Sequence, residues 1–557
     1  MASCDKEAFD FIIVGAGSAG CVLADRLSAD GGNRVLVLEF GGSDRSVLIQ
    51  MPAALSIPMN MAKYNWRYET EPEPHLGGRR LHCPRGKVIG GSSSINGLVY
   101  VRGNPLDFER WEEEEGAAGW GYRHVLPYFQ RAESRQEGGD AWRGGSGPLS
   151  TRYGRIENPL YKAFVEAAKQ AGYPATDDIN GEQQEGFGRM DMTVRDGVRW
   201  SAANAYLKPA MRRANLEVRT HALVTRILFE GTRAVGVRYA QGGLEHDVMA
   251  DREVILSGGP INSPHLLKLS GVGPADELQG LGIDVVRDLP GVGENLQDHL
   301  EFYFQVACTQ PITLYSWQGP LGKAAVGARW LLRRDWLGAT NHFETCGFIR
   351  SRPGIRYPDI QYHFLPLAVT YDGKELASEH GFQAHVGPMR SKSRGFVRLK
   401  SSDPREHPRI QFNYMSHEDD WTEMRACVRL TREIFAQPAF DPYRGREIQP
   451  GEHVRTDEDI DAFVREKVES AYHPSCSCKM GSPSDPMAVV DPETRVIGLE
   501  RLRVVDSSIM PSITTGNLNA PTIMIGEKGA DHILGRPLAA ASNATYYVAE
   551  NWRSAQR

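Results

Sequence analysis

The sequence predicts an α/β fold whose parallel sheet begins with a strand–helix–strand unit at the N-terminus. Residues 9–14, FDFIIV, form a short apolar run of the kind found in buried parallel strands. The turn GAGSAG and the helix-like stretch CVLADRLSAD follow, and then a second apolar strand, RVLVLEF, which carries Glu39 at its end. A strand, a glycine-rich turn, a helix and a strand in this order indicate a Rossmann-like unit.

The glycine-rich turn predicts a dinucleotide site. Its glycines stand in G-x-G-x-x-G register, which lets the backbone turn tightly and close on a pyrophosphate at the helix N-terminus. Glu39 follows the last of these glycines by nineteen residues and is placed to hydrogen-bond a ribose hydroxyl. The pattern does not separate NAD from FAD. The residues of the turn expected to contact the ligand are Gly15, Gly17, Ser18, Ala19 and Gly20.

A second glycine-rich stretch, PRGKVIGGSSSING at 84–97, has neither strand nor helix periodicity. It reads as a loop that offers backbone N–H groups and hydroxyls to a large polar ligand. A nicotinamide enzyme has little need of a second cradle so close to the first, so this loop favours FAD. The residues expected to contact the cofactor here are Arg85, Gly86, Val88, Gly90, Gly91, Ser92, Asn96 and Gly97.

Composition narrows the class of protein. A chain of 557 residues with a net charge of −6 and no basic run gives no reason to expect a nucleic-acid partner. No apolar run reaches the ~18 residues of a membrane span, and the start, MASCDKEAFDF, resembles neither a signal nor a transit peptide. We therefore expect a cytoplasmic protein, with peripheral attachment to the inner face of the membrane left open.

The stretch HPSCSCKMG places His473 shortly before Cys476 and Cys478. The spacing alone is compatible with a metal site, a disulfide or a lone functional histidine. A zinc site needs further ligands, and no second C-x-x-C or histidine pair is evident, so we expect no metal. Eight cysteines in this length are not a disulfide framework, and an intracellular setting keeps them reduced.

Six blocks of the sequence resemble the FAD-dependent glucose–methanol–choline (GMC) oxidoreductases, in the order that the family has them. They are VGAGSAG, RGKVIGGSSSING, SGGPINSPHLLKLSGVGP, PGVGENLQDH, HPSCSCKMG and RVVDSSIMPSITTGNLNAPTIMIGEK. Stretches outside the expected flavin cradle, such as 49–74 and 359–366, resemble the choline-oxidising members. The resemblance implies oxidation of choline to betaine aldehyde, the first step toward glycine betaine. The alternatives are another alcohol dehydrogenase or oxidase of the family, a NAD-dependent dehydrogenase, and a lyase on the same fold.

The resemblance also implies a division into domains. The FAD-binding domain is expected to be Rossmann-like and assembled from 1–155, 216–306 and 466–538. The substrate-binding domain, an α+β unit of antiparallel sheet and helices, is expected to comprise 156–215 and 307–465. Residues 539–557 are left as a C-terminal tail.

Particular residues gain roles from the resemblance. His473 is expected to be the catalytic base and to face the flavin, where the unperturbed imidazole pKa of ~6.5 suits proton abstraction at neutral pH. Asn517 is expected to contact both the substrate oxygen and the flavin, and is preferred over Asn519. Val224 is expected to meet the adenine through its backbone, and Asp506 to lie near the ribityl chain and pyrophosphate.

Choline carries a quaternary ammonium with no N–H to donate, so charge and aromatic faces must hold it. The resemblance assigns the carboxylate to Glu301, with Trp66 and Tyr472 as candidate aromatic walls. Where the family usually has HPxGTCKMG, this chain has Cys476 and Ser477 in place of Gly and Thr, so the turn behind the base is expected to pack differently.

Two further expectations concern the flavin and its electrons. Relatives that bond FAD covalently carry a histidine where this chain has Ile95, so FAD is predicted to be non-covalent. No motif chooses between oxygen and a quinone or dye as electron acceptor, and none fixes the oligomeric state.

Overall fold

This computed structural model describes residues 7–369 and 378–557, which form two large sheets with separate hydrophobic cores. Residues 1–6, part of the N-terminal stretch used above to predict the absence of a leader, lie outside the described residues. Within 7–369 and 378–557, no helix combines the length and apolar character needed to cross a membrane.

The first sheet contains the predicted N-terminal unit. The strand Ala8–Val14 pairs in parallel with Val35–Leu38 on one side and with Leu244–Leu256 on the other, which confirms the α/β prediction. Beyond Leu244–Leu256 the pairing becomes antiparallel. The order across the sheet is Leu216–Arg219, Val35–Leu38, Ala8–Val14, Leu244–Leu256, Arg233–Gln241 and Leu223–Glu230, with Leu502–Val504 also paired to Leu244–Leu256.

The predicted helix after the glycine-rich turn begins earlier than its apolar pattern indicated. It spans Ser18–Leu27, so its first turn lies within GAGSAG, and Gly17 is its N-cap. The predicted C-terminal helix is also present and spans Asn519–Leu534. These two helices pack against each other beside the first sheet, which brings the two ends of the sequence together around the glycine-rich turn.

The second sheet is antiparallel throughout its ladder. Its core lies between the sheet and two long helices, Pro159–Gln170 and Glu418–Phe435. The order across the sheet is Arg444–Gln449, Leu300–Cys308, Gly381–Pro388, Ile360–Leu365, Thr345–Ile349 and Gly186–Arg189, with Glu469–Ser470 also paired to Leu300–Cys308.

Alternation along the strands of the second sheet gives it two chemically different faces. In Leu300–Cys308 the side chains of Phe302, Phe304 and Val306 belong to the core beneath the helices. Successive side chains of a strand point to opposite faces. Glu301 therefore points the other way, toward the first sheet, and lines the cavity described below.

The remaining elements connect the two sheets. The further helices are Val47–Gln50, Ser56–Asn60, Pro105–Glu113, Tyr122–Ala132, Lys208–Ala210, Gly259–Leu269, Ala275–Gly280, Pro320–Arg333 and Asp457–Lys467. The smaller strands are Tyr68–Glu69, His82–Cys83, Val99–Tyr100, Glu133–Arg135, Leu149–Tyr153, Asp191–Met192, Val194–Arg195, Val198–Arg199, Val272–Gly273, Arg287–Asp288, Phe396–Arg398 and Arg409–Gln411.

The predicted domain division stays a prediction. Its boundary at residue 306 falls inside the strand Leu300–Cys308, which belongs to the second sheet. The short strand Glu469–Ser470 lies in the predicted flavin segment and pairs with that same strand. The chain therefore crosses between the two sheets at the points where the site residues are found.

Candidate active site

A cavity of about 790 Å³ runs between the glycine-rich turn of the first sheet and the polar face of the second. Gly15 and Gly17 line one end of it. His473, Asn517 and Glu301 line the other. The cavity thus joins the predicted cofactor residues to the predicted catalytic residues, although these are far apart in the sequence.

The two glycine-rich loops touch backbone to backbone at the cavity wall. A Cβ on Gly15, whose φ is +102°, would lie 2.6 Å from the carbonyl oxygen of Ser257. A Cβ on Gly91 would lie 2.7 Å from the Cα of Gly17. Contacts this close leave room only for glycine, so the loop at 84–97 is part of the same cradle as the N-terminal turn.

The cradle fits a dinucleotide because it leaves backbone donors directed at open space. The helix Ser18–Leu27 has no side-chain cap at its N-terminus, so its first N–H groups are free for a ligand. A Cβ on Gly17 would meet nothing closer than 3.8 Å, and one on Gly97 nothing within 4 Å. Both glycines line the cavity, where the missing side chains leave space for a pyrophosphate and a ring system.

Glu39 lies buried in the cavity wall, at the end of the second strand. Its carboxylate accepts hydrogen bonds from the backbone N–H groups of Ala16, at 2.9 Å, and Gly41, at 2.7 Å. Burial raises the pKa of Glu39 to about 7, although these two donors oppose the rise. Each carboxylate oxygen can accept a second bond, so Glu39 retains capacity for a ribose hydroxyl.

Asp506 is also buried in the cavity wall. Its Oδ2 accepts from the Gly259 N–H at 2.8 Å and from the Ser263 hydroxyl at 2.6 Å. Its Oδ1 accepts from the Ser508 N–H at 2.8 Å. Burial raises the pKa of Asp506. This carboxylate ties the start of the helix Gly259–Leu269 to the C-terminal part of the chain.

Most of the predicted cofactor residues line the cavity. They are Gly15, Gly17, Ser18, Ala19, Glu39, Arg85, Gly86, Gly91, Ser92, Asn96, Gly97, Val224, Asp506 and Asn517. Three others lie behind its wall. Gly20 sits where a Cβ would be 2.0 Å from the Gly15 carbonyl oxygen, Gly90 donates its N–H to Ala16 at 2.8 Å, and Val88 is fully buried.

His473 stands between two hydrogen-bonding partners. Its Nε2 lies 3.0 Å from Nδ2 of Asn517, and its Nδ1 lies 3.1 Å from Nδ1 of His299. The Nε2 of His299 lies 3.0 Å from the carbonyl oxygen of Met389. Asn517, His473, His299 and Met389 thus form one continuous series of contacts that ends at the cavity.

The carbonyl oxygen of Met389 fixes the proton positions along this series of contacts, because a carbonyl oxygen can only accept a hydrogen bond. His299 must carry its proton on Nε2, which leaves its Nδ1 as an acceptor. His473 then donates from Nδ1, and its own Nε2 is left with a lone pair. That lone pair accepts from Asn517 Nδ2 and points toward the cavity. The neutral tautomer of His473 is thereby the one that can take up a proton at Nε2.

The pKa of His473 lies well below its ordinary value. Burial is the main cause, and the neighbouring His299, His363 and Arg85 lower it further. Burial also lowers the pKa of His299, to about 4. Both imidazoles are therefore neutral at neutral pH, so His473 is able to accept a proton, and its charged form would need a nearby negative charge for stabilisation.

The backbone around His473 is held in place by charged groups. Asp298, which is buried, accepts from the His473 N–H at 2.7 Å and from the Tyr414 hydroxyl at 2.6 Å. The guanidinium of Arg85 donates to the carbonyl oxygen of Tyr472 at 2.5 Å. Arg85 therefore links the second glycine-rich loop to the segment that carries the base.

The two candidate asparagines have different surroundings. Asn517 accepts at Oδ1 from the Gln361 side chain at 3.1 Å while its Nδ2 faces His473. Asn519 accepts at Oδ1 from the hydroxyl of Ser18 at 2.7 Å, in the first glycine-rich turn. Only Asn517 is next to the imidazole, which favours it as the partner of a substrate oxygen.

Glu301 lies on the polar face of the second sheet, where His385 Nδ1 donates to its Oε1 at 3.0 Å. The direction follows from Gln383, whose Nε2 lies 2.7 Å from His385 Nε2. Gln383 Oε1 already accepts from the side chain of Gln305, so its amide nitrogen is the donor. His385 is therefore protonated on Nδ1, and Glu301 remains free to act as an anion.

The aromatic residues of the cavity are distributed along it. Trp66 stacks on Tyr68, with ring centroids 5.7 Å apart, and Tyr472 adjoins the base; Trp66 and Tyr472 both line the cavity. Sequence reasoning missed Phe343, whose ring lies 5.2 Å from that of His385. Phe343 lines the cavity beside Glu301, so it supplies an aromatic face near the carboxylate.

Sequence reasoning also missed the histidines that surround the predicted base. His299, His363 and His385 come from three different strands or loops. The only sequence signal was the alternation of polar and apolar residues in LEFYFQ and IQYHFL, which places His363 on the same face as Glu301.

Among the residues that the structure describes, Cys476 and Cys478 form neither a disulfide nor part of a metal site. Cys476 and Cys478 are buried, free thiols packed in the core of the first sheet. In the described residues, no group of three or more His, Cys, Asp or Glu side chains is arranged to hold a metal ion. Cys476 has a φ of +73°, a conformation that favours glycine, the residue that the family usually has at this turn.

A sequence model described as GMC oxidoreductase matches residues 9–301, and its C-terminal counterpart matches residues 391–526. The chain belongs to the GMC oxidoreductase family. Members of this family bind FAD and oxidise alcohols, and this chain is an FAD-dependent oxidoreductase of that class.

Among curated proteins, the chain is similar to "oxygen-dependent choline dehydrogenase" of Brucella ovis. The two are 61% identical over 548 residues, which cover 98% of this chain and 100% of the relative. The protein of the same name from Sinorhizobium medicae is 60% identical over the same shares of both chains.

Solved structures show the same fold. Pyridoxine 4-oxidase from Mesorbium loti superposes with a TM-score of 0.86 at 31% identity, covering 95% of this chain and 99% of that one. A formate oxidase variant from Aspergillus oryzae has a TM-score of 0.89 at 26% identity, covering 96% of this chain and 99% of that one.

Proposed function

We propose that this chain is an FAD-dependent choline dehydrogenase that oxidises choline to betaine aldehyde. The observation that carries the proposal is the chain of contacts Asn517–His473–His299, which leaves the lone pair of His473 Nε2 facing a cavity that also holds the Glu301 carboxylate. The full-length identity to curated choline dehydrogenases supports the choice of substrate.

Oxidation of an alcohol removes a proton from oxygen and a hydride from carbon. Bound FAD supplies the two-electron acceptor for the hydride. His473 is proposed to take the hydroxyl proton at Nε2, because its tautomer leaves a lone pair there. Asn517 Nδ2 donates to the substrate oxygen and stabilises the negative charge that develops on it.

Two features of the protein make this proton transfer workable. The lowered pKa keeps His473 neutral and able to accept a proton at neutral pH. The amide of Asn517 is oriented by the Gln361 side chain, so its nitrogen lies beside His473 Nε2. A bound substrate hydroxyl is proposed to replace this contact, donating to His473 Nε2 while its oxygen accepts from Asn517 Nδ2. Preorganised donors of this kind act more strongly in a cavity than in water.

The quaternary ammonium of choline is proposed to bind at Glu301. This carboxylate is 4% exposed and accepts from neutral His385, so little water competes with a bound cation. Phe343 contributes an aromatic face next to it, and Trp66 and Tyr472 are the proposed further walls. A neutral alcohol gains none of the charge attraction, which gives the site its selectivity.

The cofactor is proposed to be non-covalent. Ile95 lines the cavity and packs with Val88, Ile49 and Tyr64. A hydrocarbon side chain offers no nucleophile to the flavin at the position where relatives with covalent FAD have histidine.

The electron acceptor and the location belong to the proposal as well. The name printed for the relatives, "oxygen-dependent", supports oxygen, and a membrane quinone is the other candidate. We propose a cytoplasmic enzyme that associates peripherally with the inner face of the membrane. Oxidation of the hydrated aldehyde by the same site is proposed as a second step, because the hydrate presents a hydroxyl to the same base.

The test is a comparison of flavin reduction in the absence of oxygen. The purified protein should be yellow, and choline should bleach the flavin in stopped-flow measurements faster than simple neutral alcohols do. His473→Ala should slow this reduction at least ~100-fold, the low end for a lost general base. Faster reduction by a neutral alcohol would instead indicate another alcohol oxidoreductase of the family.

A further inference from the structure

The helix Pro320–Arg333 lies on the surface with its apolar residues turned outward. The exposed fractions are 88% for Leu321, 60% for Leu331 and 85% for Leu332. Trp330 is the one buried residue of this helix. A surface helix ordinarily turns its leucines toward the core, so this arrangement is inverted.

The exposed apolar residues form one continuous stripe. We name it the outward stripe, and its members are Leu321, Ala324, Ala325, Ala328, Leu331 and Leu332, all of them exposed. At 100° per residue these positions fall within an arc of about 120°, and Trp330 lies about 160° from the centre of that arc. The stripe therefore faces directly away from the protein, and no described residue covers it. A patch of this kind marks an interaction site.

Four basic residues lie on this helix or next to it, outside the outward stripe. Residues 311–340 contain four basic residues and one acidic residue, a net charge of +3 in a chain whose total is −6. Arg329 pairs with the acidic one, Asp335, at 2.8 Å. Lys323, Arg333 and Arg334 have no ion pair within the part of the chain that the structure describes.

Two tryptophans flank this helix in the sequence, Trp317 before it and Trp336 after it. The rings of Trp317 and Trp336 meet edge to face at 4.6 Å, and Trp317 is 37% exposed. Tryptophan side chains are enriched where proteins meet the headgroup region of a bilayer, because the ring is apolar and its N–H is polar.

We infer that the outward stripe docks onto a lipid bilayer that contains anionic headgroups. The helix has 14 residues and carries charges, so it is suited to lie in the interface and not to cross the bilayer. The apolar stripe enters the acyl boundary, while the basic residues meet anionic headgroups. A second copy of the chain is the less favourable partner, since it would bring together two segments that each carry a net charge of +3.

The inference deepens the peripheral association proposed above by naming the surface, and it does not depend on which alcohol the enzyme oxidises. The chain passes from this helix into the cavity wall within ten residues. Asn341 donates to the carbonyl oxygen of Gly97 at 2.8 Å, and Phe343 lines the cavity. This short connection links the proposed docking helix to the wall of the flavin cradle.

The test is co-sedimentation of the FAD-loaded enzyme with vesicles. We expect binding to vesicles of two parts phosphatidylcholine and one part phosphatidylglycerol, weaker binding to phosphatidylcholine alone, and loss of the difference at about 0.5 M salt. The double variant Leu331→Glu/Leu332→Glu should lower vesicle binding about tenfold or more. Leu244→Glu is the matched control, because Leu244 is 66% exposed on the first sheet, and it should bind like the parent.

The outcomes separate the hypotheses. Failure of the parent to bind anionic vesicles, or equal loss in Leu244→Glu, overturns the proposal. A change from dimer to monomer in the double variant, with no change in vesicle binding, assigns the stripe to a second copy of the chain and also overturns it. FAD absorbance shows that each variant is folded, and choline turnover with a soluble dye is measured in the same samples. Vesicle binding without choline turnover would refute the proposed substrate and leave the docking surface intact.

Discussion

The Nδ1 atoms of His299 and His473 lie 3.1 Å apart, in rings inclined at 82° to each other. The carbonyl of Met389 holds the far nitrogen of His299, so this contact selects the tautomer of His473. His299→Leu should slow flavin reduction by choline about 10–100-fold, the range for loss of a group that orients another. His299→Gln should recover part of the rate, because its amide oxygen can accept from His473 Nδ1. Equal rates in the parent and His299→Leu would remove His299 from the mechanism.

The pH dependence of kcat/KM for choline follows from the lowered pKa of His473. A base must be unprotonated to act, and a depressed pKa keeps it so at lower pH. We expect the acid limb of the profile to lie below pH ~6.5, the ordinary imidazole value. A limb at or above the ordinary value in the parent would contradict the assignment of the base.

The two asparagines allow a matched comparison. Asn517→Ala should slow flavin reduction about 100-fold, since a single preorganised donor to a developing oxyanion contributes 10²–10³. Asn519→Ala should leave the reduction rate close to that of the parent and weaken retention of FAD, because Asn519 contacts Ser18 in the cradle. Stopped-flow reduction and FAD content after dialysis distinguish them. The reverse pattern would exchange their roles.

Glu301→Gln tests the cation site without removing the acceptor for His385. The KM for choline should rise at least about tenfold, or about 1.4 kcal/mol of lost binding. The KM for a neutral alcohol of similar size should change little. Phe343→Leu should give a smaller rise in the KM for choline, since it removes only the aromatic face. Parallel effects of Glu301→Gln on both substrates would show that the carboxylate has a structural role.

FAD should dissociate fully when the protein is denatured in acid. The protein should then have the mass of the unmodified chain, and the supernatant should contain all of the flavin. The reason is that the cavity has Ile95 where relatives with attached flavin have a nucleophilic histidine. A protein that retains the flavin mass would refute non-covalent binding.

The parts of the fold that local pattern determines were predictable. Strand periodicity and glycine spacing predicted the N-terminal unit, in which Gly15 and Gly91 make close backbone contacts. The family resemblance singled out His473 and Asn517, which the structure brings together. His299 lies 174 residues from His473, and such a contact depends on how the two sheets meet. His363 and His385 face each other through the register of two antiparallel strands, which a single sequence does not fix.

The second sheet has one face that packs in the core and another that contributes to the proposed substrate site. Along Leu300–Cys308 and its neighbours, every other side chain packs under the long helices, and the opposite face contributes Glu301, His363 and His385 to the wall of the reaction chamber. Substitutions can therefore change the residues that line the chamber one at a time, while the packing of the opposite face under the helices is unchanged. Solved structures of similar architecture are named for molecules as unlike as pyridoxine and formate. A laboratory library restricted to the chamber side should change substrate preference more often than it prevents folding.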